Sequence, residues 1–128
     1  VVAEVEAYLA ERVAVAQAQG IARERIVVDP GFGFGKTAEH NFELLRNLGQ
    51  IAILGLPVMA GWSRKSTLGA ITGRPAAERL AASVAAALLA VQHGARIVRV
   101  HDVAATRDAL AVLAAMSEVR RSSEFGHD

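Results

Sequence analysis

Three clusters of residues able to do chemistry lie along the 128-residue chain, each directly after an apolar run. The first is Asp29-Pro30-Gly31-Phe32-Gly33-Phe34-Gly35-Lys36-Thr37, the second Gly61-Trp62-Ser63-Arg64-Lys65-Ser66, and the third Arg99-Val100-His101-Asp102. The second cluster packs two cations and two hydroxyls together. That set suits a carboxylate or phosphate, and a lysine can also donate to a ring carbonyl. The competing reading is a solvated loop. In the third cluster, strand alternation puts Ile97, Arg99 and His101 on one face and Val98 and Val100 on the other, with Val103 at its end. If the valines meet covering helices, Arg99 and His101 point inward, and a buried cation needs an anion or an aromatic face. A salt bridge from Arg99 to Asp102 or a neighbouring residue is the alternative to an anionic ligand.

The glycine-rich first cluster resembles two nucleotide motifs and matches neither. Gly35-Lys36-Thr37 copies the end of a P-loop, but that motif's first glycine falls on Pro30; a dinucleotide fingerprint would put its third glycine on Lys36. A plain turn between strand and helix remains open. So does an aromatic lid made by Phe32 and Phe34 over a flat ligand. Trp62 is either a ligand platform or packing. His40, His93 and His127 lack metal-ligand spacing and read as surface residues.

The elements that must hold these clusters follow from periodicity. Val2, Val5, Leu9, Val13 and Ala16 recur at three- and four-residue steps, predicting a helix over 1–19 with Gly20 beyond its end. Ile26-Val27-Val28 reads as a strand stopped by Asp29-Pro30-Gly31. Thr37 is placed to cap a helix that buries Phe42, Leu45 and Leu48 and ends at Gly49. Leu56–Ala60 reads as a second strand, followed by a loop to Gly73 with Pro75 at a first helical turn. Leu80, Val84, Leu88 and Val91 form the apolar line of an alanine-rich helix ended by Gly94. A third strand spans Ile97–Val103. A last helix spans Thr106 to about Arg120, with Leu110 and Leu113 inward and Arg120 and Arg121 near its end.

The order α-β-α-β-α-β-α implies parallel strands joined by right-handed crossovers, with function at the strands' C-terminal ends. So narrow a parallel sheet leaves two open edges, so further strands are expected. With no initiator Met, the chain reads as a piece of something longer. The expected layout is one domain over 1–121 and a frayed tail over 122–128. An apolar fraction of 52% and charged fraction of 21% describe a globular protein, and a net charge of +1 argues against a nucleic-acid footprint. Without cysteine there are no disulfides or thiolate metal sites. No apolar run is long enough to span a bilayer, nothing resembles a signal peptide, and a cytoplasmic location is expected.

Over nearly the whole chain, the three motifs in this order resemble the dihydropteroate synthase family. The resemblance implies the C-terminal part of a (β/α)₈ TIM barrel, comprising strands six to eight. It implies condensation of 6-hydroxymethyl-7,8-dihydropterin pyrophosphate with p-aminobenzoate to give 7,8-dihydropteroate and pyrophosphate, in folate biosynthesis. Sulfonamides compete with the aminobenzoate in that family. By the same resemblance Asp29, Gly33, Lys65 and Arg99 bind the pterin, Asp29 accepting from its amino group and ring N–H and Lys65 donating to its carbonyl. Arg99 and His101 hold the pyrophosphate, and Lys65, Arg99 and His101 are the catalytic set. Phe34, Arg64 and Ser66 shape the aminobenzoate site.

The resemblance further implies magnesium with its protein ligand in an N-terminal half, no metal ligand in this chain, and a homodimer through C-terminal helices. Lacking that half, residues 1–128 are expected to have no synthase activity. Two alternatives stand beside this: a methyltetrahydrofolate-corrinoid methyltransferase, a related pterin barrel without a pyrophosphate site, and a non-catalytic half barrel that associates through its open edges.

Overall fold

A computed structural model describes residues 1–124, with side chains described through residue 117. The elements are α1 (Val2–Ala18), α2 (Ala38–Arg46), α3 (Leu48–Ala52), β1 (Met59–Ala60), α4 (Ser66–Thr72), α5 (Leu80–Gln92), β2 (Ile97–Val98) and α6 (Val103–Glu124). Single 3₁₀ turns occupy Arg23–Arg25 and Ala76–Glu78.

The three apolar segments lie side by side in chain order and run parallel, as alternation with helices requires. Val28 bridges Val58, donating its N–H to Pro57 O at 3.0 Å and accepting from Met59 at 2.8 Å. On the other side, Arg96 donates to Val58 O at 2.9 Å and Arg99 to Ala60 O at 3.0 Å. The register pairs Met59 with Ile97 and Ala60 with Val98.

The strands are shorter than predicted. The first shrinks to one bridge, and the third ends at Val98, so His101 and Asp102 lie in a loop and Val103 opens α6. Pro30 has no N–H to extend a ladder. Among the described residues the outer segments are paired on one side only, so each ladder lasts only as long as its neighbour runs beside it. The predicted parity holds as far as Arg99; beyond it the strand has ended, and Val100 lines the same cavity as Arg99 and His101 instead of facing away from them. Val28, Val58, Ala60 and Val98 pack into the helix-side core, while Val27 and Ile97 are exposed on the opposite face with Arg99.

The helices show four departures. The helix predicted to end at Gly49 breaks at Asn47, whose side chain turns back to donate to Glu43 O at 2.8 Å, and Gly49 lies inside α3. Leu44, Leu48 and Ile51 then reach the centre of the core. Helix α4 forms where a loop was predicted, closed by Gly73 in the left-handed region. On α5 the buried residues are Ser83, Ala86, Ala87 and Ala90 rather than the predicted line of Leu80, Val84, Leu88 and Val91. Small side chains let the helix approach its neighbours closely, which moves the bulkier ones to its flanks. Helix α6 runs past Arg120 into the stretch expected to fray, through Glu124; residues 125–128 of that stretch lie outside the described residues. Among the described residues no helix is long and apolar enough to cross a membrane.

Thr37 caps α2 as predicted, its hydroxyl accepting from the His40 N–H at 3.1 Å. Thr37→Ala is expected to cost about 1 kcal/mol of stability, measurable by urea denaturation. This cap matters to the site because it ends the glycine loop and begins the helix that anchors it.

Candidate functional site

The glycine loop is curled by its own polar groups. Asp29 Oδ1 accepts from the Gly31 N–H at 2.8 Å, and Lys36 Nζ donates to Gly31 O at 2.9 Å and Phe34 O at 3.2 Å. Gly33 has φ +89°, which favours glycine, and a Cβ there would lie 3.2 Å from Lys65 Cδ and crowd the lysine stem. Its N–H donates to Asn41 Oδ1 at 2.9 Å, and the Asn41 amide in turn donates to Thr67 Oγ1 at 3.1 Å. The two phenylalanines separate: Phe32 is 1% exposed and packs on Trp62, whereas Phe34 is 70% exposed. The two-ring lid is therefore corrected to Phe34 alone. Trp62, buried between Phe32 and Phe42, is packing and not a platform.

Lys65 reaches across to this loop. Its ammonium donates to Phe32 O and sits 5.0 Å from the Phe34 ring centroid. Burial pushes the Lys65 pKa below its ordinary value and Arg99 adds to the effect; Asp29 opposes it and Lys36 reinforces it. The sign is that of a cation held at a cost. Where pH lies between the folded and unfolded pKa values, the unfolded chain binds more protons, so this group's contribution to stability grows as pH rises through that window. A bound anion would reverse the penalty.

Arg64, expected by resemblance at the aminobenzoate site, is engaged by a carboxylate of this chain. Its guanidinium pairs with Asp102 at 3.0 Å, so Asp102 serves Arg64 and not Arg99. Arg64 adopts φ 57°, with its N–H donating to Ser83 Oγ at 2.9 Å. Ser66 is exposed at the first residue of α4.

Arg99 lies over Gly61, where a Cβ would be 3.2 Å from Nη2 and 3.3 Å from Nε. His101 is held by Ser63: its backbone N–H donates to Ser63 Oγ at 3.1 Å and its Nδ1 lies 2.8 Å from the same oxygen. The hydroxyl can thus accept from the amide and donate to Nδ1, leaving Nε2 to carry the ring proton.

Lys65, Arg99 and His101 line one cavity of about 270 Å³ with Gly61, Ser63 and Val100. Two cations and an imidazole without a lining carboxylate suit an anion. Asp29 and Phe34 line a second cavity of about 400 Å³, shared with Lys36 and with Glu4 and Tyr8 of α1. Arg64 and Ser66 line neither.

Ser63, Asn41 and Lys36 were not singled out as site residues from sequence. Ser63 had a signal, a hydroxyl at a strand end two residues before Lys65, but its partner lies 38 positions away. Ser63→Ala is expected to release His101 and cost about 1 kcal/mol, detectable as altered Nδ1 and Nε2 shifts in imidazole nitrogen NMR.

Parallel βα units with cations gathered at the strand ends define a class that the comparisons identify. Residues 1–101 match the pterin binding enzyme family, and the chain belongs to it. Over 120 residues it is 55% identical to the dihydropteroate synthase of Neisseria meningitidis serogroup B, covering 91% of this chain and 42% of that protein. The Burkholderia cenocepacia dihydropteroate synthase, solved with 7,8-dihydropteroate, superposes with a TM-score of 0.91 at 52% identity, over 94% of this chain and 46% of that one. The Xanthomonas albilineans enzyme, solved with 4-aminobenzoic acid, gives 0.89 at 52%, over 91% and 43%. The chain thus spans less than half the length of these relatives.

Proposed function

We propose that this chain supplies strands six to eight of a dihydropteroate synthase barrel and, with them, the pyrophosphate side of its active site. The observation that carries the reading is the convergence of Lys65, Arg99 and His101 on one cavity, with the exposed Phe34 ring beside Lys65. In this proposal the dihydropterin lies between Asp29 and Lys65 beside Gly33. The free Asp29 oxygen accepts from the ring edge, Lys65 donates to the carbonyl, and Arg99 lies against the ring near the pyrophosphate. As the C–O bond at the pterin methylene breaks, its electron pair leaves with pyrophosphate, and Arg99 and His101 stabilise that charge. The aromatic amine then forms the new C–N bond and releases its proton. Phe34 and Ser66 bound the aminobenzoate subsite. Arg64, tied to Asp102, shapes it as a fixed wall.

A magnesium ion belongs to the same proposal. Its protein ligand is assigned to the part of the relatives that this chain does not span. A homodimer is also proposed, supported by the exposed Leu89, Val112 and Met116 on α5 and α6. A cytoplasmic location follows from the biosynthetic role.

The test is a chimera in which this chain replaces the matching part of the Neisseria meningitidis synthase. Formation of 7,8-dihydropteroate by the chimera, and none by residues 1–128 alone, is the expected result. A folded chimera that neither turns over nor binds pterin would overturn the reading, and turnover by the isolated chain would overturn the predicted division of labour.

A further inference from the structure

Arg79 precedes α5 and has no part in the substrate contacts above, yet it joins three pieces of chain. Its Nε donates to Arg74 O at 2.8 Å and its Nη1 to Arg64 O at 2.9 Å. The guanidinium rests against α4 at Gly69, where a methyl group would overlap it, with Nε only 2.7 Å from the Cβ position. Glycine within a helix is disfavoured relative to alanine, so Gly69 calls for a reason, and the seated guanidinium is one.

The residue that Arg79 grips is unusual. Arg64 is the only non-glycine residue with positive φ among the described residues, at 57°. Such a conformation persists when its surroundings over-determine it. Here the Arg64 N–H is held by the buried Ser83 hydroxyl and its C=O by Arg79. Both polar groups of the strained residue are thus tied to the start of α5. The next two residues are Lys65 and Ser66, so the direction in which they project is set by how Arg64 is held.

We propose that Arg79, seated in the notch at Gly69, is a positioning residue that locks Arg64 in its left-handed conformation and so aims Lys65 and Ser66 at the substrates. The clamp itself stands on the contacts just given; what the clamped loop acts on rests on the synthase reading.

Gly69→Ala and Arg79→Ala should break the same contact by different means, one by filling the notch and the other by removing its occupant. In the isolated chain, each is expected to speed hydrogen exchange of the Arg64 and Lys65 amides by about tenfold. The double variant should be no faster than either single one. The thermal midpoint of Gly69→Ala should hold or rise, because alanine favours the helix. Arg79→Lys keeps the charge without the two-carbonyl fork and should not restore slow exchange.

In the chimera, both single variants should raise KM for p-aminobenzoate and lower kcat/KM by about tenfold. Unchanged exchange in Gly69→Ala, or additive effects in the double variant, would overturn the clamp. Faster exchange with unaltered kinetics would overturn its role in aiming Lys65 and Ser66. An inactive unmutated chimera would defeat the synthase reading, and the exchange data would still decide the clamp.

Discussion

Replacing Lys65 by alanine is expected to lower turnover of the chimera by about 100- to 1000-fold, the scale seen when one preorganised hydrogen-bond donor is removed from an active site. The expectation rests on where the ammonium sits. It is partly buried, lines the same cavity as Arg99, and is braced by Phe32 O and the Phe34 ring. Arginine should not rescue it, because the lysine stem passes so close to Gly33 that a wider planar head has no equivalent path.

The pH profile provides a second readout. In the free protein the Lys65 pKa is lowered, first by burial and then by Arg99. Bound pyrophosphate would favour the charged form and raise it again. The alkaline limb of kcat/KM, which reports the free enzyme, should therefore lie at lower pH than that of kcat, which reports the complex. Stability should not suffer in Lys65→Ala, since the charge removed is one the fold holds at a cost. Coincident alkaline limbs, or a rate within tenfold of the parent, would remove Lys65 from the proposed catalytic set.

Arg99→Ala is expected to weaken pyrophosphate binding by about 100-fold, the upper range for charge-assisted hydrogen bonds. Titration calorimetry of the chimera with inorganic pyrophosphate measures this directly. Because Arg99 is exposed on the open face, the parent's affinity should also fall as salt is raised. Gly61→Ala offers a milder steric version of the same experiment: its methyl group would crowd the guanidinium and shift it slightly, so a smaller loss of affinity is expected. Both variants should leave folding intact, since neither residue contributes a side chain to the apolar core. Equal affinity in the parent and Arg99→Ala would separate this cavity from the pyrophosphate.

The parallel order of the three apolar segments was legible because alternation with helices leaves no other pairing, and helix α1 and the Thr37 cap because each depends on neighbours within a few positions. The facing of Ile97 and Arg99 was legible for the same reason, since alternation along a strand is a local property. Helix α4 was not, because it is short, buries only Thr67 and Leu68, and carries Gly69 at its middle. The alanine face of α5 was missed because a hydrophobic scale favours the larger side chains, whereas close packing favours the smaller.

What the amino-acid sequence determined alone was the set of strand ends and the chemistry gathered at them: Asp29 on the first, Lys65 on the second, Arg99 and His101 on the third. Only tertiary structure decided how these were partnered. It buried Phe32 and left Phe34 free, gave Asp102 to Arg64 instead of Arg99, put His101 on Ser63, and seated Arg79 over Gly69. The physical reason is range. Periodicity and caps act through a turn or a strand step, while the pairs that shape this site join residues up to 38 positions apart and exist only once separate βα units have packed.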